Sequence, residues 1–267
     1  MKNIVLTGVS GGMGFVTAKR LIDNGYHVFG LDIKKPQEEI DNLTFIKTDI
    51  RDLSSVELAF KEVKKSTDEI DSIISMAGIY DFNSLIEMSE EEFIRIFDIN
   101  VFGMYRLNKV FVPLLKDKGK VIIVSSELAP LDPLPFTGIY AITKSTVEKY
   151  AYALRMELQL LNKQVVVIRP GAVKTSLLDV SDSRIDYFIE NTKLYETIAV
   201  RFKKITEDVK SKNIDASKIA NLVNKILNKK KPKYLYSINR NPLLRLLNLL
   251  PQRLQNHIIK KILVKKK

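Results

Sequence analysis

An apolar strand pattern from Asn3 to Leu6 runs straight into Thr7-Gly8-Val9-Ser10-Gly11-Gly12-Met13-Gly14, and a helical pattern takes over from Phe15 to Asp23. Glycines at such a junction permit positive φ and let the backbone approach a ligand closely, while the helix that follows points its unsatisfied N–H groups and positive end at that ligand. A pyrophosphate fits this description, and so does a tight turn that binds nothing. The next strand pattern, Val28–Asp32, separates the two. It ends in Asp32, roughly twenty residues beyond the turn, where a dinucleotide-binding unit places a carboxylate to accept hydrogen bonds from the adenosine ribose hydroxyls. A 2′-phosphate at that point would meet a like charge.

Further strand patterns at Thr44–Thr48, Ser72–Met76, Lys120–Ser125, Val165–Arg169 and Tyr234–Ser237 alternate with segments of helical periodicity, and no internal repeat is visible. With 267 residues and 45% hydrophobic content, the chain can bury one sizeable core. The expected fold is α/β: a single Rossmann-like, doubly wound parallel sheet with helices on both faces, over residues 1–240. No stretch reaches the ~18 apolar residues of a membrane span, and the first strand starts too early to leave room for a signal peptide, so a cytoplasmic location is expected. The chain has no cysteine and only two histidines, His27 and His257, so it cannot assemble a Cys/His zinc site and no metal is expected. His27 falls away from the strand ends where sites of this fold are built, which removes it as a candidate base.

Tyr140-Ala141-Ile142-Thr143-Lys144 follows the Ser125-Ser126 pair. On a helix this places a phenol and an ammonium one turn apart on one face. A tyrosine titrates near ~10, so as a base near neutrality it needs its phenolate stabilised by roughly three units, and a neighbouring cation can supply part of that. The same spacing also occurs in ordinary surface pairs. The glycine turn and Asp32 favour the chemical reading.

The pattern Gly8-x-x-x-Gly12-x-Gly14, taken with Ser126, Tyr140 and Lys144, resembles the short-chain dehydrogenase/reductase family, and the resemblance spans roughly residues 2 to 240. It implies that Ser10, Gly11 and Met13 join the glycines around the cofactor. Asp49-Ile50 resembles the adenine-contacting pair, Asn100 the tetrad asparagine, and Pro170-Gly171 with Val173 and Thr175 the nicotinamide-side loop. Where the family carries Asn-Asn-Ala-Gly, this chain has Ser75-Met76-Ala77-Gly78, which puts the local hydrogen bonding of the sheet in doubt while keeping Ala77 and Gly78 as cofactor positions.

The resemblance further implies the roles. Tyr140 is the general acid/base, Lys144 lowers its pKa and holds the ribose hydroxyls, Ser126 hydrogen-bonds the substrate oxygen, and Asn100 supports a water that connects Lys144 to solvent. The family's serine-to-tyrosine separation is one residue shorter than that from Ser126, and Ser125 is kept as the alternative serine. The implied activity is interconversion of an alcohol with its ketone or aldehyde. NAD is the expected cofactor because of Asp32. NADP, with an acyl-chain ketoreductase activity, is the alternative that Lys34 and Lys35 offer. A catalytically silent dinucleotide-sensing or membrane-interaction protein is a third.

Substrate selection is expected in a lid at about residues 176–215. There Leu177, Leu178, Tyr187, Phe188, Ile189, Leu194, Tyr195, Ile198, Val200 and Phe202 suit a lipophilic sterol, retinoid or long-chain compound, or serve as ordinary core. The loop from Glu127 to Gly138 carries Pro130, Pro133 and Pro135 and either walls the pocket or lies on the surface. A homo-oligomer is expected.

Residues 229–267 contain twelve Lys or Arg and no Asp or Glu, which equals the whole net charge of +12, so the preceding residues sum to zero. The tail from 241 to 267 interleaves these cations with leucine and isoleucine. That is the composition of an interfacial helix on an anionic membrane rather than of a nucleic-acid arm. Packing of Leu243 to Leu250 on the domain or on a second subunit is the competing reading. Such C-termini resemble those of the retinol and hydroxysteroid branch of the family.

Overall fold

The computed structural model describes residues 2–174, 176–210 and 213–264, with the side chains of 176–183 and 207–210 left aside. Strands and helices alternate along the chain as β1 (Lys2–Thr7), α1 (Gly12–Ile22), β2 (Tyr26–Asp32), β3 (Leu43–Lys47), α2 (Leu53–Ser66), β4 (Ile70–Ser75) and α3 (Glu90–Phe97). They continue as α4 (Gly103–Phe111), β5 (Leu115–Val124), α5 (Gly138–Leu158), β6 (Gln164–Pro170), β7 (Val173–Lys174), α6 (Ser176–Asn191), α7 (Glu196–Lys210), β8 (Ile214–Asp215), α8 (Ala216–Leu227) and β9 (Leu235–Ile238). Two helices, α9 (Pro242–Asn248) and α10 (Gln252–Leu263), follow.

Seven strands form one parallel sheet in the order β3-β2-β1-β4-β5-β6-β9. All seven expected strands are present, within a few residues of their expected bounds. The largest difference is β5, which starts at Leu115 instead of Lys120, because its polar first half, Lys116 to Lys118, gives no strand pattern. The central strands are continuous apolar runs, as both faces are covered by helices. On one face α2, α4 and α5 bring Val56, Ala59, Val63, Leu107, Phe111, Val147 and Ala151 against the sheet. On the other, α1 and α8 bring Ala18, Leu21, Ile219, Val223 and Ile226. Local signals start several helices: Asp52 caps α2, Ser89 and Glu92 form a capping box at α3, and Asp215 caps α8.

The chain enters the sheet at β1, builds outward to β3, and returns to the other side of β1 at β4. The reversal opens a crevice beyond the carboxyl ends of β1 and β4, which is where ligands bind in such sheets. A smaller cluster of Phe82, Phe136, Ile185, Phe188, Ala199, Phe202 and Leu263 joins α6, α7 and α10 to the loops above that crevice. Among the described residues no helix is long and apolar enough to cross a membrane.

Candidate active site

The turn between β1 and α1 is built on two close approaches. Gly8 sits at φ +75°, and a Cβ on Gly14 would lie 1.9 Å from the Gly8 carbonyl oxygen, so neither position admits a side chain without moving the backbone. No side chain caps the first turn of α1, which leaves its N-terminal amides for an anion. Above it lies a cavity of about 380 Å³ whose walls include Gly8, Gly11, Gly12, Met13, Gly14, Asp32, Asp49, Ile50, Ala77 and Gly78. The sequence placed these residues together, and the cradle fits a dinucleotide. Ser10 sits on the turn just outside this lining.

Asp32 is held in place before any ligand arrives. The backbone N–H groups of Ser10 and Lys34 donate to its two carboxylate oxygens at 3.0 and 3.1 Å. Asp49 is paired with Arg51, whose Nε and a terminal nitrogen donate at 3.0 and 2.6 Å and hold the carboxyl below its usual range. Ile50 packs on Gly103 so tightly that a Cβ there would sit 2.7 Å from its Cδ1. The missing asparagine before Ala77-Gly78 is compensated from β1, where Thr7 Oγ1 accepts from the N–H groups of Met76 and Ala77 at 3.2 Å each. The substitution leaves one trace, a buried Ser75 hydroxyl with no partner among the described residues.

A second cavity, of about 250 Å³, adjoins the first and shares Met13, Met76, Gly78 and Ile79 with it. Ser125, Ser126, Tyr140, Lys144, Pro170, Gly171 and Val173 all line it. Thr175 lies outside the described residues. Tyr140 and Lys144 both project from α5 and are buried, and the ammonium stands 5.7 Å from the centre of the phenol ring while donating to the Val124 carbonyl at 3.2 Å. Asn100 lies in a π-helical turn, Asp98–Phe102, a local widening often found at functional sites. Its amide accepts from the Ile79 N–H at 2.8 Å and donates to the Ile79 carbonyl at 3.0 Å and Thr143 Oγ1 at 3.1 Å. Thr143 Oγ1 in turn donates to the Tyr140 carbonyl at 2.8 Å, so Asn100 braces the first turn of α5.

Burial sets the electrostatics of the pair. Burial pushes the Tyr140 phenol up to about 12, opposed by a hydrogen bond with the Ser126 hydroxyl. Burial pulls the Lys144 ammonium down to about 8, opposed by Glu148 one turn further along α5. Each group is shifted mainly by its own desolvation. The two serines separate clearly. Ser126 engages Tyr140, whereas the Ser125 hydroxyl is buried without a hydrogen-bond partner among the described residues.

Among the lining residues not singled out in the sequence as site residues, Tyr80, Glu127 and Leu244 matter most. Tyr80 stands edge-on to Tyr140 with ring centroids 4.3 Å apart. Glu127 follows Ser126 directly and puts a buried carboxylate into the cavity. Leu244, from the tail, closes one wall. Of the lid residues with described side chains, Phe202 alone lines the cavity, where α7 also contributes Ile205 and Thr206. Phe188, Ile189, Tyr195 and Ile198 instead pack into the satellite core, while Tyr187, Leu194 and Val200 are exposed. Leu177 and Leu178 lie outside the described side chains. The tail is not free of the domain: Leu263 is buried against α7, and Asn248 Oδ1 accepts from the Asp132 N–H at 2.9 Å. Leu243, Leu246 and Leu249 remain exposed.

A glycine cradle opening into a tyrosine–lysine–serine cavity, at the switch point of a doubly wound parallel sheet, defines an NAD(P)-dependent oxidoreductase. The chain belongs to the short chain dehydrogenase family, whose pattern matches residues 2–186. It is 28% identical over 233 residues to the 3-ketodihydrosphingosine reductase of Bacteroides thetaiotaomicron, covering 86% of this chain and 85% of that one. It is also 28% identical over 282 residues to the NADPH-dependent 3-dehydrocapnine reductase of Ornithobacterium rhinotracheale, covering 99% and 98%. Among solved structures, the ligand-free aldohexose dehydrogenase of Thermoplasma acidophilum superposes with a TM-score of 0.75 at 21% identity, over 89% of this chain and 92% of that one, a likeness of fold.

Proposed function

We propose that this protein interconverts a lipophilic ketone or aldehyde with the corresponding alcohol, using NAD(H), and works in the reductive direction. The observation that carries the reading is that Ser126, Tyr140 and Lys144 face one largely apolar cavity whose wall continues, through Met13, Met76 and Gly78, into the glycine cradle. When bound there, the nicotinamide supplies or accepts hydride. The chain handles the oxygen and its proton. Ser126 donates to the substrate oxygen, and Tyr140 transfers its phenolic proton to the same oxygen as negative charge develops. A phenol pushed up to about 12 is protonated at neutral pH, which suits a donor and supports reduction. Lys144 is the cation beside it and the donor to ribose hydroxyls, and Asn100 fixes the helix turn that carries both.

Asp32 supports NAD, since its carboxylate would repel a 2′-phosphate, and its two backbone bonds prevent it from swinging away. The second reading is an NADP-dependent ketoreductase, favoured by Lys34 beside Asp32 and by the NADPH-dependence named for the Ornithobacterium relative. The reductases named among the relatives support a keto substrate. Phe82, Leu134, Phe202, Ile205 and Leu244 in the cavity wall support a long-chain or otherwise lipophilic one, of steroid, retinoid or alkyl type. The protein would work in the cytoplasm as a homo-oligomer, with exposed Leu243, Leu246 and Leu249 beside Arg245 resting on an anionic membrane surface.

The test is nicotinamide absorbance with NADH and NADPH against long-chain alkanones, steroid ketones and retinal. Turnover of any of these supports the reading. Tight dinucleotide binding without turnover of any ketone or alcohol would favour a silent sensing protein instead.

A further inference from the structure

We infer that Glu127 determines specificity in the cavity, and that the substrate carries a protonated amine within one or two carbons of its reacting carbonyl. The inference rests on the oxidoreductase reading above and deepens it. Apart from the proposed catalytic groups, the cavity is walled mainly by carbon: Phe82, Leu128, Leu134, Phe202, Ile205 and Leu244. Among the described residues one carboxylate enters it, Glu127, only 7% exposed. Burying a carboxylate is costly unless a cation or several donors meet it.

The donors present do not suffice. Glu127 Oε2 accepts from the Asn241 N–H at 2.6 Å, while Oε1 accepts no hydrogen bond among the described residues. Arg240 attracts the carboxylate at longer range but makes no ion pair with it. Burial raises the Glu127 pKa, opposed by the Asn241 N–H and by Arg240. A cation bound in the cavity would complete the set. Gly171, itself part of the cavity wall, admits no side chain, since a Cβ there would lie 1.9 Å from the Asn239 carbonyl oxygen and 2.9 Å from Glu127 Oε1, which places Oε1 beside that wall.

Position converts this into a substrate class. Glu127 follows Ser126 directly, consecutive Cα atoms lie ~3.8 Å apart, and both residues line the same cavity. Tyr80, edge-on to Tyr140, has its phenol raised chiefly by burial, with Tyr140 and Glu127 adding to it. A ketone oxygen on Ser126 and Tyr140 therefore leaves a neighbouring ammonium within reach of Glu127 Oε1. The remaining apolar wall takes the alkyl chain. The class is an amphiphilic aminoketone.

The probes are a long-chain 2-aminoalkan-3-one and the alkan-3-one of equal length, with wild type and Glu127→Gln. Glutamine keeps an acceptor for the Asn241 N–H and removes the charge. The wild type should favour the aminoketone in kcat/KM, and Glu127→Gln should penalise the aminoketone roughly ten- to hundredfold more than the alkanone, chiefly through KM, the usual size of a lost charge-assisted contact. The 2-amino-3-alkanol product, with NADH, should raise the wild-type melting temperature more than the alkanol does, which needs neither turnover nor a folded variant. Equal treatment of the two ketones by the wild type, or an equal loss on both in the variant, overturns the inference and leaves the oxidoreductase reading standing. Turnover of no ketone overturns both.

Discussion

The Glu127 carboxylate accepts a 2.6 Å hydrogen bond from the backbone N–H of Asn241, joining the residue after the proposed catalytic serine to the first residue of the basic tail. Three residues further on, Leu244 lines the cavity. The tail is thus part of the site wall as well as a carrier of charge. Deleting residues 241–267 should remove Leu244 from the cavity wall and Leu263 from its place against α7, uncovering the apolar surface they cover, where burial of a leucine such as Leu263 contributes ~1.5–3 kcal/mol. The melting temperature should fall by about 5 °C or more, and activity on lipophilic ketones should fall with it. A truncated protein with unchanged melting temperature and activity would show that these contacts add nothing.

The opposite face of the same helix gives a separate prediction. Leu243, Leu246 and Leu249 are exposed, the last at 81%, beside Arg245 and ahead of Arg253, Lys260 and Lys261. The full-length protein should float with vesicles rich in anionic lipid, more weakly at high salt, since each cation near such a surface adds about 1 kcal/mol. Replacing the three leucines by serine should abolish flotation without lowering the melting temperature. Flotation that survives the replacement would move the contact elsewhere.

Asp32 makes cofactor choice measurable. NADH should bind more tightly than NADPH, and Asp32→Asn, which keeps an acceptor for the Ser10 or Lys34 N–H, should narrow the gap by about tenfold, or ~1.4 kcal/mol. Calorimetric titration of both cofactors decides. Tighter binding of NADPH to the wild type would mean that Lys34 outweighs the carboxylate.

The lowered pKa of Lys144 predicts a pH dependence of stability. Between about pH 8 and 10.5 the unfolded lysine keeps a proton that the folded one has released, so the unfolded state binds more protons and stability rises with pH. The cost of burying the ammonium is fully present below pH 8 and relieved above it. Lys144→Met removes that cost at every pH. In thermal melts without cofactor, the advantage of the Met variant should therefore shrink from pH 7.5 to pH 10. A constant difference would place the Lys144 pKa near its ordinary value.

The sheet was legible because a parallel sheet buried on both faces demands apolar runs, and Val28–Asp32, Ser72–Met76 and Val165–Arg169 are such runs. The cradle was legible because Gly8 and Gly14 answer to backbone geometry, which sequence states directly. Residues whose role comes from tertiary approach were not. Glu127 reads as the start of a proline-rich loop until β5 and β6 bring it to Gly171, and Leu244 reads as one leucine among several. Tyr80 gains meaning only from its ring contact with Tyr140. The apolar run after Thr175 suits a lid or an ordinary core alike, and only the packing shows that Phe188 and Phe202 both join a satellite core while Phe202 also lines the cavity. The π turn at Asn100 has no sequence signature, being one extra residue accommodated by packing.

The central claim, that Tyr140 is the proton donor of this cavity, is tested most directly by single-turnover reduction of a long-chain ketone by Tyr140→Phe with NADH bound. Phenylalanine keeps the ring contact with Tyr80 and removes only the hydroxyl. The rate should fall at least ~100-fold, the usual worth of general acid catalysis, while the Kd for NADH changes by less than about threefold. A Phe variant that retained more than about a tenth of the wild-type rate would assign the proton to another group.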